Sequence, residues 1–265
     1  MRTALALLII VLVTPVLAVV VIVAALLRVP DRPGSIFDWA PRLWAGLVVR
    51  AAGVRLVLHG EERLQPFRPR VLAMNHVSWF DIFALASILQ RYGFVAKAGL
   101  LRIPLFGRAS RITGAIAMPR ENRKAAFAAY EHAAVRIREG RSVVVCPEGT
   151  RGSTYALRPF KKGPFVLAIA AGVPVMPVAV YGTREVQPRG SFRIRAGKVH
   201  VHFLDPIETA GLAYDDRDAV ARRCWIAIAE ALRAHHGVDS PAPPADRVRR
   251  DGDQRDAGRP AAIGG

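Results

Sequence analysis

The chain has 265 residues, 52% of them hydrophobic, which suits one large domain with additions better than two full domains. Thirty-eight Lys and Arg against 21 Asp and Glu give a net charge of +17, so the surface seeks an anionic partner: nucleic acid, lipid headgroups or a phosphorylated substrate. Cys146 and Cys224 are the two cysteines and form no C-x-x-C pattern, so neither a disulfide framework nor a zinc knuckle is indicated, and a reducing cytosol fits.

From Thr3 to Leu27 no residue is charged. As a helix rising ~1.5 Å per residue this run reaches ~38 Å, more than the ~30 Å hydrocarbon core of a bilayer. The expectation is a membrane segment. A cleaved signal peptide is the rival, but the run exceeds the usual ~7 to 15 apolar residues and Val23-Ala24-Ala25 is a weak cleavage site. Pro15 removes an amide donor mid-run, so a tilted, kinked span and two short helices re-entering one leaflet both stay open. Arg2 precedes the run while Arg28, Arg32 and Arg42 follow it, which predicts a membrane protein whose main domain faces the cytoplasm, at the inner membrane in a bacterium.

Ile36 to Val49 carries a helical apolar stripe that includes Trp39 and Trp44, fit either for a membrane interface or for core packing. Val54 to His59 and Val71 to Met74 read as strands, Ser78 to Gln90 as a helix, Phe94 to Ala96 and Ala115 to Met118 as strands. Ala125 to Glu139 follows as a helix, Val143 to Cys146 as a buried strand, Phe165 to Ala171 as a helix and Val173 to Tyr181 as a strand. Arg193 to Phe203 reads as a hairpin closing around Ala196-Gly197, and Asp218 to His235 as an amphipathic helix. The predicted fold class is α/β: a largely parallel sheet flanked by helices, with an N-terminal membrane-embedded helical segment. The predicted division is an anchor (1–30), an interfacial or amphipathic helix (31–53), the main domain (54–237) and a disordered tail (238–265).

Charge is concentrated between Arg91 and Gly163, which hold 15 Lys or Arg and 4 acids. That stretch is expected to face the anion. It lacks aromatic interleaving, zinc-finger spacing and an RNA-binding fingerprint, so nucleic acid is not the expected partner.

Three blocks can carry chemistry. Asn75-His76-Val77-Ser78-Trp79-Phe80-Asp81 lies where a strand gives way to a helix, and His76 there can take a proton from a hydroxyl while Asp81 fixes its tautomer. Ser78-x-x-Asp81 before an apolar run is equally a helix capping box, so the block alone leaves both readings open. Lys97 and Arg120 each follow a strand-like run and can meet an anion or belong to a solvated basic face. Pro147-Glu148-Gly149-Thr150-Arg151 offers close backbone approach at Gly149, a hydroxyl at Thr150, a phosphate fork at Arg151 and an acceptor at Glu148; a plain turn explains the same residues. Lys161 and Lys162 add cations suited to carrier phosphate or lipid headgroups.

Taken in order, with the Lys97-x2-Leu100-x6-Gly107-x12-Arg120 spacing and Val173-Pro174-Val175-Met176-Pro177-Val178, these blocks resemble the glycerolipid acyltransferase family, that of the 1-acylglycerol-3-phosphate acyltransferases. Gly152 departs from the Ser that many members carry there, which touches headgroup preference more than chemistry. The resemblance implies that 54–237 is an acyltransferase domain moving a fatty acyl group from acyl-CoA or acyl-carrier protein to the free hydroxyl of 1-acylglycerol 3-phosphate, giving phosphatidic acid. It further implies a His76–Asp81 catalytic dyad with no covalent acyl-enzyme, an acceptor site of Arg120, Glu148, Gly149, Thr150 and Arg151, and no metal or organic cofactor. The alternatives are another lysophospholipid or lyso-aminolipid as acceptor, and an inactive lipid-binding membrane module. His200 and His202 share one strand face, a possible metal pair for a zinc hydrolase, but nothing nearby in sequence completes a site. Cys146 reads as a buried small residue rather than a nucleophile, and His235-His236 as partners of a helix C-terminal dipole.

Overall fold

The computed structural model describes residues 1–65, 68–118 and 123–242; Arg120 and nearly all of the predicted tail lie outside them. Seven strands form one sheet: β1 (Val54–His59), β2 (Val71–Met74), β3 (Tyr92–Lys97), β4 (Ile116–Met118), β5 (Ser142–Val145), β6 (Val175–Tyr181) and β7 (Gly197–Phe203). Their order is β1-β7-β6-β2-β5-β3-β4, parallel throughout except that β6 and β7 run antiparallel. The helices are α1 (Arg2–Leu26), α2 (Ile36–Ala51), α3 (Trp79–Ile88), α4 (Phe106–Ile112), α5 (Arg123–Arg138), α6 (Gly163–Ala171), the single turn α7 (Thr183–Val186) and α8 (Arg217–His236).

The central strands are apolar on both faces because both faces are covered. Leu72, Met74, Val144, Met176, Val178 and Val180 pack toward Phe80 and Leu85 of α3 and Ala45 and Val48 of α2. Their alternates Val71, Ala73, Val143, Val145, Val175 and Ala179 pack toward α5, α6 and α8 through Ile137, Phe165 and Ile228. The period of two along each strand thus divides one run of β-branched residues between two half-cores.

Helix α1 is one helix, continuous through Pro15. It is long and apolar enough to cross a membrane, with a mean hydropathy of 3.3. One stripe of it lies on the domain from end to end. Ala6 is fully buried in the half-core under α2 and α3, Trp44 donates its indole N–H to Thr14 at 2.9 Å, and Ala18, Val21 and Ile22 pack with Phe37, Ala40 and Ala109. Its other faces expose Leu5, Leu8, Val11, Leu12, Val16 and Val19. The two tryptophans of α2 divide their tasks: Trp44 sits edge-on to Phe83, centroids 5.3 Å apart, whereas Trp39 is exposed.

Two expectations are corrected. The Arg193–Phe203 hairpin does not form: only β7 is a strand, inserted between β1 and β6. The preceding residues spend their backbone groups elsewhere, Ile194 N–H on Thr3 Oγ1 at 2.9 Å and Arg195 N–H on Val186 O at 2.9 Å. Nor is the basic stretch one anion-facing surface. Arg141, 1% exposed, forks onto Asp31 at 2.6 and 2.7 Å, Arg91 reaches the same carboxylate at 3.3 Å, and together they clamp the α1–α2 connection to the sheet.

Candidate active site

Strand β2 ends at Met74, and the next four residues turn into α3 at the carboxyl edge of the sheet, where α/β folds place their ligands. Asn75 holds that turn to the neighbouring strand. Its amide donates to Val180 O at 2.9 Å and its carbonyl accepts from Val180 N–H at 2.7 Å, continuing the ladder one step past the last paired residue. His76 follows, its side chain 14% exposed.

Asp81 is fully buried and does two jobs at once. Its Oδ2 lies 2.8 Å from His76 Nδ1 and accepts from Val77 N–H at 2.7 Å and Ser78 N–H at 2.8 Å. Ser78 Oγ in turn accepts from Phe80 N–H at 3.2 Å, completing a reciprocal cap on α3. Asp81 Oδ1 accepts from the Thr183 hydroxyl at 2.5 Å. The capping box and the histidine pairing are therefore one structure. The carboxylate acts on Nδ1, so the free lone pair falls on Nε2, which bonds to none of the described residues.

The third block is sewn to the first. Glu148 Oε1 accepts from His76 N–H at 2.9 Å, and Gly152 N–H donates to His76 O at 2.7 Å. The backbone of His76 is thus fixed on both sides by a segment more than seventy residues away. Glu148 Oε2 takes Arg158 Nε at 3.0 Å, and the same guanidinium donates to Thr150 Oγ1 at 2.9 Å and to Thr150 O. Burial raises the Glu148 carboxyl above its ordinary pKa, against the pull of the His76 amide and Arg158. Arg151 lies half-buried with its guanidinium 4.8 Å from the centre of the Trp79 ring. Burial and nearby Arg189 lower its pKa while Asp81 opposes them, so a cation flanks the His76–Asp81 pair.

Gly149 has φ +80°, and a methyl there would come 2.7 Å from Lys161 Cε, whose chain folds over the turn. Gly149→Ala is expected to cost about 1–2 kcal/mol through its left-handed backbone alone, read as a fall of a few degrees in melting temperature; an unchanged melting temperature would show that the turn adopts another conformation. Lys97 ends β3 exposed, with β5 between its strand and β2. Cys146 is half-buried rather than buried.

Thr183, Arg158 and Arg189 were not among the residues expected from sequence, and Asn75 was named in the first block without a role, although each orders the site. Arg189 donates to Arg151 O at 2.9 Å. Tyr155 fixes the Thr183 turn, its hydroxyl accepting from Gly182 N–H at 2.8 Å and Arg184 N–H at 2.9 Å. The one available signal for Thr183 was its place just after the Val173–Val178 block.

Fold and motifs together define an acyltransferase-type α/β domain: a family profile described as Acyltransferase matches residues 55–181. A solved structure titled a 1-acyl-sn-glycerophosphate (LPA) acyltransferase, PlsC, from Thermotoga maritima shares this fold with a TM-score of 0.66 at 22% identity, covering 88% of this chain and 98% of that one. The chain belongs to the 1-acyl-sn-glycerol-3-phosphate acyltransferase family, being 32% identical over 197 residues to the Haemophilus influenzae protein of that name, 74% of this chain and 79% of that protein. The Brassica napus chloroplastic relative is 34% identical over 168 residues, 63% of this chain. The match spans about half the length of that relative, 48%.

Proposed function

We propose that the chain transfers a fatty acyl group from acyl-CoA or acyl-carrier protein to the free hydroxyl of 1-acylglycerol 3-phosphate, yielding phosphatidic acid and a free thiol. The observation that carries this reading is the His76–Asp81 pair at 2.8 Å, at the carboxyl edge of β2, with Nε2 free of bonds to the described residues. In this reaction His76 Nε2 takes the hydroxyl proton as the oxygen adds to the thioester carbonyl, and Asp81 stabilises the imidazolium. The tetrahedral adduct collapses by breaking the C–S bond. The thiolate is a good leaving group and receives the proton from His76.

The relatives' names support the acceptor, and so do the cations Arg151 and Lys161 beside Gly149, with Arg120 as a further candidate from the family spacing. Arg151 can fork onto a phosphate from its stack on Trp79. Glu148, engaged by His76 N–H and Arg158, acts in this reading by holding the turn that presents Thr150 and Arg151. The exposed apolar faces of α1, with Trp39 beside them, are set against lipid, which brings the site to its insoluble acceptor.

A matrix of acyl donors and lyso-lipid acceptors, assayed by mass spectrometry on the purified full chain in detergent, tests this. Diacyl product is expected to depend on thioester and to be greatest with the phosphate-bearing acceptor. A tenfold preference for a phosphate-free acceptor overturns the headgroup assignment, and saturable binding without product reduces the protein to a lipid-binding module.

A further inference from the structure

Five of the chain's seven histidines gather at a second place, away from His76. His59 ends β1, and the parallel register sets it beside His202 of β7, with Val57 beside His200. Since alternate strand residues share a face, all three imidazoles point to the side opposite Val199 and Val201. On that side β6 contributes Ala179 and Tyr181 opposite His202 and His200. Helix α8 packs on it and delivers His235 and His236 from its last turn. The His59 ring stacks on His202 with centroids 4.2 Å apart, His202 on His235 at 4.7 Å, and His236 on Tyr181 at 4.0 Å.

The nitrogens converge as well as the rings. His59 Nε2 and His200 Nδ1 are 3.1 Å apart, His202 Nε2 and His236 Nε2 2.9 Å apart, and one ligand atom from each of His59, His200 and His202 lies within 4.8 Å of the others. Ligands of a tetrahedral zinc ion at ~2.0–2.1 Å stand roughly 3.3 Å from one another. Two nitrogen pairs therefore already have nearly that spacing, and gathering both pairs on one ion requires the stacked rings to turn. All the donors are imidazole, a set that suits zinc, copper, nickel and cobalt and not the oxygen-seeking calcium or magnesium.

We propose that His59, His200 and His202, with His236 as fourth donor, form a binding site for a borderline divalent transition-metal ion such as Zn2+. Sequence reasoning set aside His200 and His202 for want of completing ligands. Those ligands come from another strand and a helix end, not from neighbours in sequence. Four protein nitrogens close the coordination shell, which makes the site structural: it straps the end of α8 to the β1–β7 edge. His236 also stacks on Tyr181, and Tyr181 lies tilted against Tyr155, centroids 4.5 Å apart, whose hydroxyl holds the Thr183 turn beneath Asp81.

The test uses the full chain without an affinity tag, purified in detergent, stripped with EDTA and titrated with Zn2+ by calorimetry and with Co2+ by absorption. One equivalent is expected, with the visible bands of tetrahedral, nitrogen-ligated Co2+. His59→Gln, at an exposed strand end, and His202→Ala are each expected to weaken affinity by more than the ~10 to 100-fold lost when only a supporting residue is changed. His76→Ala, which removes an imidazole outside the cluster, leaves stoichiometry and affinity as they were. Far-UV circular dichroism confirms that each variant is folded, and His59→Gln remains decisive if His202→Ala is not. Absence of a stoichiometric equivalent, or affinity unchanged in His59→Gln, overturns the site and leaves the nitrogen contacts as hydrogen bonds between neutral rings.

Discussion

His76→Ala is expected to lower acyl transfer by about 10² to 10⁴-fold, the usual contribution of a positioned general base, while the protein stays folded and the acceptor KM changes little. The structure separates these effects. The contacts that fix residue 76 in place are its own backbone N–H and C=O, to Glu148 at 2.9 Å and Gly152 at 2.7 Å, and alanine keeps both. Asp81 loses one of its four partners and retains Val77 N–H, Ser78 N–H and the Thr183 hydroxyl. The stability cost should therefore be near that of one hydrogen bond to a charged group, about 1.5–3 kcal/mol. Initial rates at saturating donor, with a melting curve on the same preparation, check both halves. Turnover within threefold of the parent would remove His76 from the reaction.

The second large effect comes from replacing Asp81 in two ways. In Asp81→Asn the amide oxygen can sit where Oδ2 accepts from His76, Val77 and Ser78, and the amide N–H2 can donate to Thr183 Oγ1. The cap survives, the negative charge does not. Activity should fall by about 10² to 10⁴-fold, since the imidazolium loses its counter-charge and the tautomer its bias, with little change in melting temperature. In Asp81→Ala the cap is lost as well, worth about 0.5–2 kcal/mol, and four buried donors lose their acceptor at about 1–3 kcal/mol each before relaxation. That variant should be both inactive and markedly less stable. Equal stability of the two variants would mean that Asp81 does not hold the helix start; equal activity of Asp81→Asn and parent would mean that its charge does not serve the reaction.

These paired effects explain why the first block was ambiguous in sequence. Capping and histidine orientation need the same carboxylate at the same position, five residues after His76, so spacing cannot separate them. What sequence made legible was local: β2, the turn and α3, the Gly149 turn after β5, and the alternation of central strands between two half-cores. What it hid depends on strand order. Thr183 reaches the site only because β6 lies next to β2, and Glu148 with its partner Arg158 only because β5 does, and no local pattern states either adjacency. The same reason hid the histidine cluster, which needs β1 and β7 side by side with α8 across them. The basic stretch misled because charge counts do not record burial: Arg91 and Arg141 bury their charge on Asp31. The hairpin expected over Arg193–Phe203 failed because Thr3, nearly two hundred residues away, takes the amide that a partner strand would need.

The attachment of α1 has a mechanical consequence. A helix joined to its domain by a flexible linker would let the catalytic edge wander over a range of heights above a lipid layer. Here Thr3 is bonded to Ile194 near one end, Thr14 to Trp44 in the middle, and Ile22 is packed at the other, while Arg91 and Arg141 hold the turn beyond it. Helix and sheet therefore move as one piece. Under the proposed function the helix would work as a keel, not a mooring line: the depth and tilt it took in lipid would fix the height and aim of His76.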